Sequence, residues 1–390
     1  NKRKIAIFIG SRANYGTGKA VMKAVKDHPS LILQTIVGAS ALLDHYGEVV
    51  KLIEADGFTI DARVHMLIEG ASPLTMAKTT GIGMSELATA YDNLKPDVVI
   101  AVGDRFEVLA AAAAAAYMNI PLAHIMGGEI SGTIDESIRH AITKLAHIHF
   151  PSSEAAKKRI IQMGERPEMI FAVGCPRMDL IRDILEKKKL DLSFEGVGAG
   201  AIDITKPFLF VSQHSVTTEF GSGEKDINAI LDALTELKIQ TIMLWPNSDA
   251  GSEDVSRGIR KFRERTKDNP PFPLHIFKNL PVHNYFHLMN STACMIGNSS
   301  SLLREGSFIG TPGVLVGSRQ QGRDRSENVI AVKHDKKEIV AAIKKQLKHG
   351  KYKSNHSYGK GDAGKNIAAV LVKVKPDIQK LFREIKHNGL

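Results

Sequence analysis

Short apolar runs separated by segments of helical spacing recur from one end of the chain to the other, and this alternation constrains the fold most. Candidate strands are Lys4–Ile9, Leu31–Gly38, Val98–Val102, Leu122–Ile125, His147–Phe150 and Ile170–Val173. A second series is Phe208–Ser212, Thr241–Trp245, His275–Phe277, Cys294–Ile296, Gly313–Leu315 and Val329–Val332. Between them lie helical patterns such as Gly18–Asp27, Phe106–Met118 and Glu154–Met163. A strand, a helix and a second strand in succession make a βαβ unit, so the alternation implies parallel sheets. Strands that are apolar almost throughout suit sheets covered on both faces. The alanine run Ala110–Ala116 favours helix and carries little bulk, which predicts a helix lying very close to its sheet.

The alternation breaks over 183–206, where Lys187-Lys188-Lys189 and the glycine-rich Gly196–Gly200 fall, and the domain boundary is placed there. The 390 residues are enough for two domains. The chain is therefore expected to be α/β, with two Rossmann-like doubly wound domains, 1–182 and 206–375, and a cleft between them. A last helix, 376–390, opened by Pro376, is expected to cross back onto the first domain. In such sheets ligands sit outside the carboxyl ends of the strands, so the loops there carry the chemistry.

Composition narrows the setting. No apolar run approaches the ~20 residues that span a bilayer. Asn1-Lys2-Arg3-Lys4 followed by Ile5–Ile9 mimics the start of a signal peptide, but its apolar part is too short and reads as the first buried strand. Two cysteines, Cys175 and Cys294, make a disulfide framework improbable and fit a reducing cytoplasm. The net charge of +10 resides wholly in Lys333–Leu390, which holds 15 Lys+Arg against 5 Asp+Glu. Such a segment attracts anions, nucleic acid included. Its aromatics are sparse (Tyr352, Tyr358, Phe382), so a base-stacking platform is poorly supported, and solvated lysine faces are the plainer reading.

Six loops are informative. Gly10-Ser11-Arg12-Ala13-Asn14-Tyr15-Gly16 is a strand-to-helix turn without the spacing of a P-loop; Arg12 suits a phosphate or sugar, or a surface salt bridge. Gly103-Asp104-Arg105-Phe106-Glu107 puts an aspartate at a strand end, where it suits acid–base work and equally suits a helix N-cap. The densest constellation runs from His124 through Gly127-Gly128-Glu129 and Asp135-Glu136 to Arg139-His140. There Asp135 and Arg139 can share a helix face, and the glycines let backbone approach a ligand. No metal-ligand spacing is present. His147 and His149 alternate on a strand, one of them as a core histidine. Ser212-Gln213-His214 can grip a diphosphate or protonate a leaving phosphate, and Trp245-Pro246-Asn247 can contact a nucleoside. Gly297-Asn298-Ser299-Ser300-Ser301, then Arg304 and Glu305, pairs small residues with a helix start suited to phosphate, with Arg319, Arg323 and Arg325 downstream.

In this order the segments resemble the hydrolysing UDP-N-acetylglucosamine 2-epimerases of sialic-acid synthesis, especially the epimerase half of the bifunctional animal enzyme and its bacterial relatives. The matching stretches are Ser11-Arg12-Ala13, Gly103-Asp104-Arg105-Phe106, Gly127-Gly128-Glu129, Ser131-Gly132-Thr133-Ile134-Asp135, Ser137–His147, Pro246-Asn247, Asp249–Ser252, Gly297–Ser300 and Arg319-Gln320. The resemblance implies a glycosyltransferase-B-like fold and conversion of UDP-N-acetylglucosamine to UDP and N-acetylmannosamine through a 2-acetamidoglucal. It implies Arg12, His214, Asn247, Ser299, Ser300, Glu305 and Arg319 on UDP. On the sugar it implies Asp104, Asp135 and Glu129, supported by Arg105, Arg139 and His140. His214 is also a candidate acid toward the leaving phosphate. No organic cofactor or obligatory metal is implied, no nucleic-acid or membrane partner, and a homodimer or homotetramer. Met126 stands where many members have glutamate, Asn14 where an acid is common and Ser215 where proline is usual. These departures bear on the sugar more than on the reaction type and keep open the same reaction on UDP-2,4-diacetamido-2,4,6-trideoxyglucose; a non-hydrolysing epimerase is a separate alternative, against which the Asp135–His140 segment favours the hydrolysing branch.

Overall fold

The structure is a computed structural model that describes residues 2–44, 48–69, 73–131, 134–187, 197–216, 221–246, 252–267, 269–278 and 280–384. The chain divides into two compact units: Asn1–Ile130, Ile134–Leu180 and Ser357–Leu390 form unit 1, and Ser131–Thr133 with Ile181–His356 form unit 2.

Unit 1 alternates β1 (Arg3–Ile9), α1 (Arg12–Asp27), β2 (Leu31–Gly38), α2 (Val49–Ala55), β3 (Ala62–Val64), α3 (Pro73–Leu94), β4 (Val98–Val102), α4 (Phe106–Tyr117), β5 (Leu122–Ile125), α5 (Ile134–Leu145), β6 (Ile148–Phe150), α6 (Glu154–Gln162) and the start of α7 (Arg177–Lys187). Its six strands are parallel in the order β3-β2-β1-β4-β5-β6. Successive strand residues point to opposite faces. Ile5, Ile7, Ile9, Val98 and Ile100 accordingly join the core under α1, and Ala6, Phe8, Val99 and Ala101 join the core under α3 and α4. Both faces are covered, which is why these strands read as continuous apolar runs. The alanine run is buried in the second core, and a Cβ on Gly83 of α3 would lie 3.1 Å from Ala110 Cβ, so small residues bring α3 against α4.

Unit 2 contains β7 (Val197–Ala199), β8 (Leu209–Ser212), α8 (Gly223–Leu237), β9 (Thr241–Leu244), α9 (Ser252–Arg265), β10 (Leu274–Phe277), α10 (Val282–Ser291), β11 (Cys294–Gly297), α11 (Glu305–Ile309), β12 (Gly313–Val316), β13 (Val329–Val332) and α12 (Lys336–His349). The strand order is β13-β12-β11-β8-β9-β10-β7, parallel except for β7 against β10. Counted from β8, this is the permutation of unit 1, so each sheet reverses winding direction once, between β1 and β4 and between β8 and β11. No helix among the described residues is long and apolar enough to cross a membrane.

Several expectations need correction. Ile170–Val173 is not a strand; Ile170 makes one isolated bridge to His149. The helix expected from Gly18 begins at Arg12, because Ser11 caps it by accepting from the Asn14 amide. Residues 357–375, expected in the second domain, pack in unit 1. There α13 (Ala363–Lys373) adds Ile367, Ala368 and Leu371 to the core under α1, and its first amides, Ala363 and Gly364, donate to the Asp179 carboxylate at 3.0 and 2.7 Å. The helix expected over 376–390 is not helical over 376–384, where side-chain anchors hold the backbone instead, and 385–390 lie outside the described residues.

Candidate active site

The two reversal points gather most of the expected residues. In unit 1 the ends of β1 and β4 are stapled by buried Asn14, whose Oδ1 accepts from Gly10 N–H at 3.3 Å and whose Nδ2 donates to Val102 O at 3.0 Å. Arg12 is exposed in the first turn of α1. Beyond β4, Gly103 adopts φ +80° and Asp104 follows. Arg139 of α5 is 1% exposed, and its Nε donates to Asp104 Oδ2 at 2.9 Å. A second guanidinium nitrogen donates to the same oxygen, and a third donates to the Glu129 carbonyl at 2.7 Å. The buried cation thus holds Asp104 by one carboxylate oxygen, and Oδ1 accepts from no described residue. The Asp104 side chain is 28% exposed, so the pair sits at the rim of the core.

His124 supports this turn from beneath. It is fully buried, its Nε2 donates to Gly103 O at 2.8 Å, and its Nδ1 therefore accepts from the Thr143 hydroxyl at 3.1 Å. Burial pushes its pKa down to about 4, so the ring is neutral scaffolding and not an ionising loop residue. The adjacent glycines serve the same packing: a Cβ at Gly127 would lie 2.9 Å from His124 Nδ1, and one at Gly128 would lie 2.3 Å from Ala156 O. The backbone approach expected toward a ligand is thus an approach to protein. Met126 takes φ +68° and donates its amide to Phe150 O.

Glu129 is nearly buried, and its Oε1 accepts from Ser152 Oγ at 3.0 Å. Asp135 is half-buried in the first turn of α5, and exposed His140 lies 3.9 Å from Glu136. Arg105 donates through Nε to Glu107 Oε1 at 2.6 Å. Glu107 is 1% exposed, and its Oε2 has no hydrogen-bond partner among the described residues. Sequence pattern alone assigns Glu107 no part; its place at i+2 from Arg105 is the available signal. Both His147 and His149 are buried and bonded: His147 Nε2 to Ile378 O, and His149 Nε2 to Glu165 Oε2.

In unit 2, Gly297 takes φ +131°, and a Cβ there would stand 2.1 Å from Ser212 O, so only glycine fits between the ends of β11 and β8. Fully buried Asn298 then binds both backbone groups of His214, accepting from its N–H and donating to its C=O at 2.8 Å each. Its own carbonyl accepts from Gln320 at 3.0 Å and Arg319 at 3.4 Å. Loops after β8, β11 and β12 therefore meet at one residue, the β8 loop at its side chain and the β12 loop at its carbonyl. His214 Nε2 lies 3.3 Å from Ser212 Oγ, Ser300 Oγ accepts from Arg304 at 3.2 Å, and Glu305 is fully buried. The helix start expected after Gly297 is only a three-residue 3-10 turn, Ser300–Leu302, capped by Ser299 Oγ, and then the five residues of α11. So short a run carries little dipole, which leaves side chains and backbone amides as the means to hold an anion. Asn247 and its neighbours 248–251 lie outside the described residues.

A family model described as UDP-N-acetylglucosamine 2-epimerase matches residues 23–372. The UDP-N,N'-diacetylbacillosamine 2-epimerase (hydrolyzing) of Legionella pneumophila is 35% identical over 369 residues, covering 95% of each chain. The UDP-N-acetylglucosamine 2-epimerase of Neisseria meningitidis is 30% identical over 367 residues, covering 92% of each. The crystal structure of UDP-GlcNAc 2-epimerase from Neisseria meningitidis bound to UDP-GlcNAc superposes with a TM-score of 0.80 at 18% identity, over 95% of this chain and 100% of that one. That likeness identifies the fold as the glycosyltransferase-B-like one.

Proposed function

The chain belongs to the UDP-N-acetylglucosamine 2-epimerase family, and from that premise we propose that it catalyses hydrolytic 2-epimerisation of a UDP-activated 2-acetamido sugar, releasing UDP and the free 2-epimer. The observation that carries the reading is Asp104: a carboxylate at the reversal point of unit 1, held by a buried arginine through one oxygen and open at the other. The hydrogen on sugar carbon 2 is not beside a carbonyl, so direct removal is very unfavourable. The bond from carbon 1 to the diphosphate lengthens first, and the developing oxocarbenium ion acidifies carbon 2. A carboxylate takes that proton, UDP departs and a glycal remains. Water then delivers hydroxyl to carbon 1 while a proton returns to carbon 2 from the opposite face.

Asp104 and Asp135 form the acid–base pair in this reading, with Glu129 beside them, because Met126 cannot transfer a proton. Arg139 orients Asp104; Arg105 and His140 support the sugar. Arg12, His214, Asn247, Ser299, Ser300, Glu305 and Arg319 hold UDP, and donors aimed at the departing diphosphate act most strongly in the transition state. Stabilisation by one such donor is typically ~2.7–4 kcal/mol of barrier.

The greater identity with the Legionella pneumophila relative favours the diacetamido-trideoxy sugar as substrate. UDP-N-acetylglucosamine, as in the sialic-acid route, is the second reading, supported by the Neisseria meningitidis relative. Incubation with each nucleotide sugar in deuterated water, with UDP release and proton NMR as readouts, tests both. Deuterium at carbon 2 of a free manno-configured sugar is expected; an epimer still attached to UDP would sink the hydrolytic reading.

A further inference from the structure

The segment after α13 is pinned to unit 1 at four successive places. Asp377 pairs with Arg166 at 2.8 Å, and the Ile378 carbonyl accepts from His147 Nε2 at 3.0 Å. Lys380 Nζ donates to Glu165 Oε2 at 2.6 Å, and Arg383 donates to the Glu165 carbonyl at 2.9 Å. Lys380 does more than pair with a carboxylate. The same ammonium donates to the carbonyls of Lys144 and Ala146 at 2.7 and 2.6 Å, which are among the acceptors that the last turn of α5 leaves without helical partners. A cation there also complements the helix dipole.

The socket is built for this. Glu165 is 3% exposed and collects Lys144 Nζ at 2.6 Å and His149 Nε2 at 3.1 Å besides Lys380. These donors hold its carboxyl down at about 2 despite burial. His147 is fixed in one tautomer, because its Nδ1 accepts from Leu122 N–H while Nε2 donates to Ile378 O. The groups facing Lys380 are therefore Glu165, Lys144, His147 and His149, with Arg383 behind the Glu165 backbone.

We propose that Lys380 is a positioning residue: it fastens the C-terminal strap across the end of α5 and thereby fixes the helix that carries Asp135, Arg139 and His140. The proposal rests on the functional reading above only in assigning α5 to the reaction. Arg139 must reach two partners at once, Asp104 Oδ2 and the Glu129 carbonyl, so a small slide of α5 moves the Asp104 carboxylate with it.

The test compares the full chain with Lys380→Met and Lys380→Arg by hydrogen exchange and by steady-state UDP release. In Lys380→Met, exchange of α5 amides is expected to rise about tenfold or more while β1 and β4 stay protected. Turnover should fall about tenfold with KM within about twofold, since the strap's hydrogen bonds reach none of the described residues assigned to UDP. Lys380→Arg, which keeps charge and donors, should restore both. Lys380→Gln replaces the methionine variant if that one does not fold. Unchanged α5 exchange overturns the proposal, as does loosened α5 with wild-type turnover, or equal loosening of β1 and β4. If the wild type releases no UDP from either nucleotide sugar, the functional reading fails, and the exchange comparison still decides the strap.

Discussion

Asp104 and Gly297 show two ways in which one residue controls a reversal point. Asp104→Asn keeps the shape but leaves Arg139 buried beside a neutral amide. Because Asp104 is partly exposed, the stability lost should fall below the ~3–5 kcal/mol of breaking a fully buried pair, at about 2–3 kcal/mol. UDP release should fall by about 10²–10⁴-fold while UDP still binds, and Asp135→Asn should lower it likewise. Turnover measured beside calorimetric UDP titration checks this; near-normal turnover in either variant removes the role assigned to it. Gly297→Ala acts by sterics, since its Cβ would meet the Ser212 carbonyl carbon and oxygen and the backbone is left-handed. A loss of at least about 2 kcal/mol is expected, together with UDP affinity. Trp245, the single tryptophan, lies in unit 2 and reports it in urea unfolding. The Asp104–Arg139 pair was not legible beforehand. Spacing offered Arg139 a neighbour four residues away, Asp135, whereas the carboxylate that it holds is 35 residues distant. Periodicity encodes which residues share a helix face and is silent about partners brought by another strand.

At the scale of elements, the legible features were those with a local cause. Buried parallel strands are apolar on both faces, so β1, β2, β4, β5 and the central strands of unit 2 stood out in the sequence. The three-residue strands β3 and β7 carry too few side chains to show any period, and β7 fell in a glycine-rich stretch read as a boundary. The loop after β11 looked like the start of an α-helix because serines and asparagine cap 3-10 turns and α-helices alike. The return of the chain to unit 1 was expected from Pro376, yet the crossing element is α13, earlier in the chain. Its apolar face reads equally well as packing on either unit. What decides is a tertiary cap: Asp179 accepts from the first two amides of α13, and Gly364 lets the helix approach Ala20 O. Asp179→Ala should cost about 1–2 kcal/mol, as other N-cap losses do. It should raise hydrogen exchange throughout α13 while leaving α12 protected; equal protection of α13 in both proteins would show that packing alone holds it.

The whole molecule should respond to acid through groups that folding keeps from binding protons. Burial drives His124 from an ordinary 6.5 to about 4, and it lowers His147 and His149 as well. Below about pH 6.5 the unfolded chain takes up protons at these positions and the folded chain does not, so stability falls with falling pH. For His124 alone the loss is complete once pH passes about 4 and amounts to about 3 kcal/mol, at about 1.4 kcal/mol per pH unit. Glu165 then continues in the same direction. Its carboxyl lies at about 2 in the fold against 4.5 ordinarily, so stability held above 4.5 is lost toward 2. Desolvation opposes that shift, and the Lys144, Lys380 and His149 hydrogen bonds outweigh it. Because all these groups belong to unit 1, the acid sensitivity should appear there, in hydrogen exchange of β4, β5 and α5 followed from pH 7 to pH 4 after correction for intrinsic rates. His124→Gln offers Nε2 to the Gly103 carbonyl without a titratable ring and should flatten the upper part of the decline. An unchanged slope between pH 6.5 and 4 in that variant would mean that the buried imidazole beneath Asp104 is not what acid attacks first.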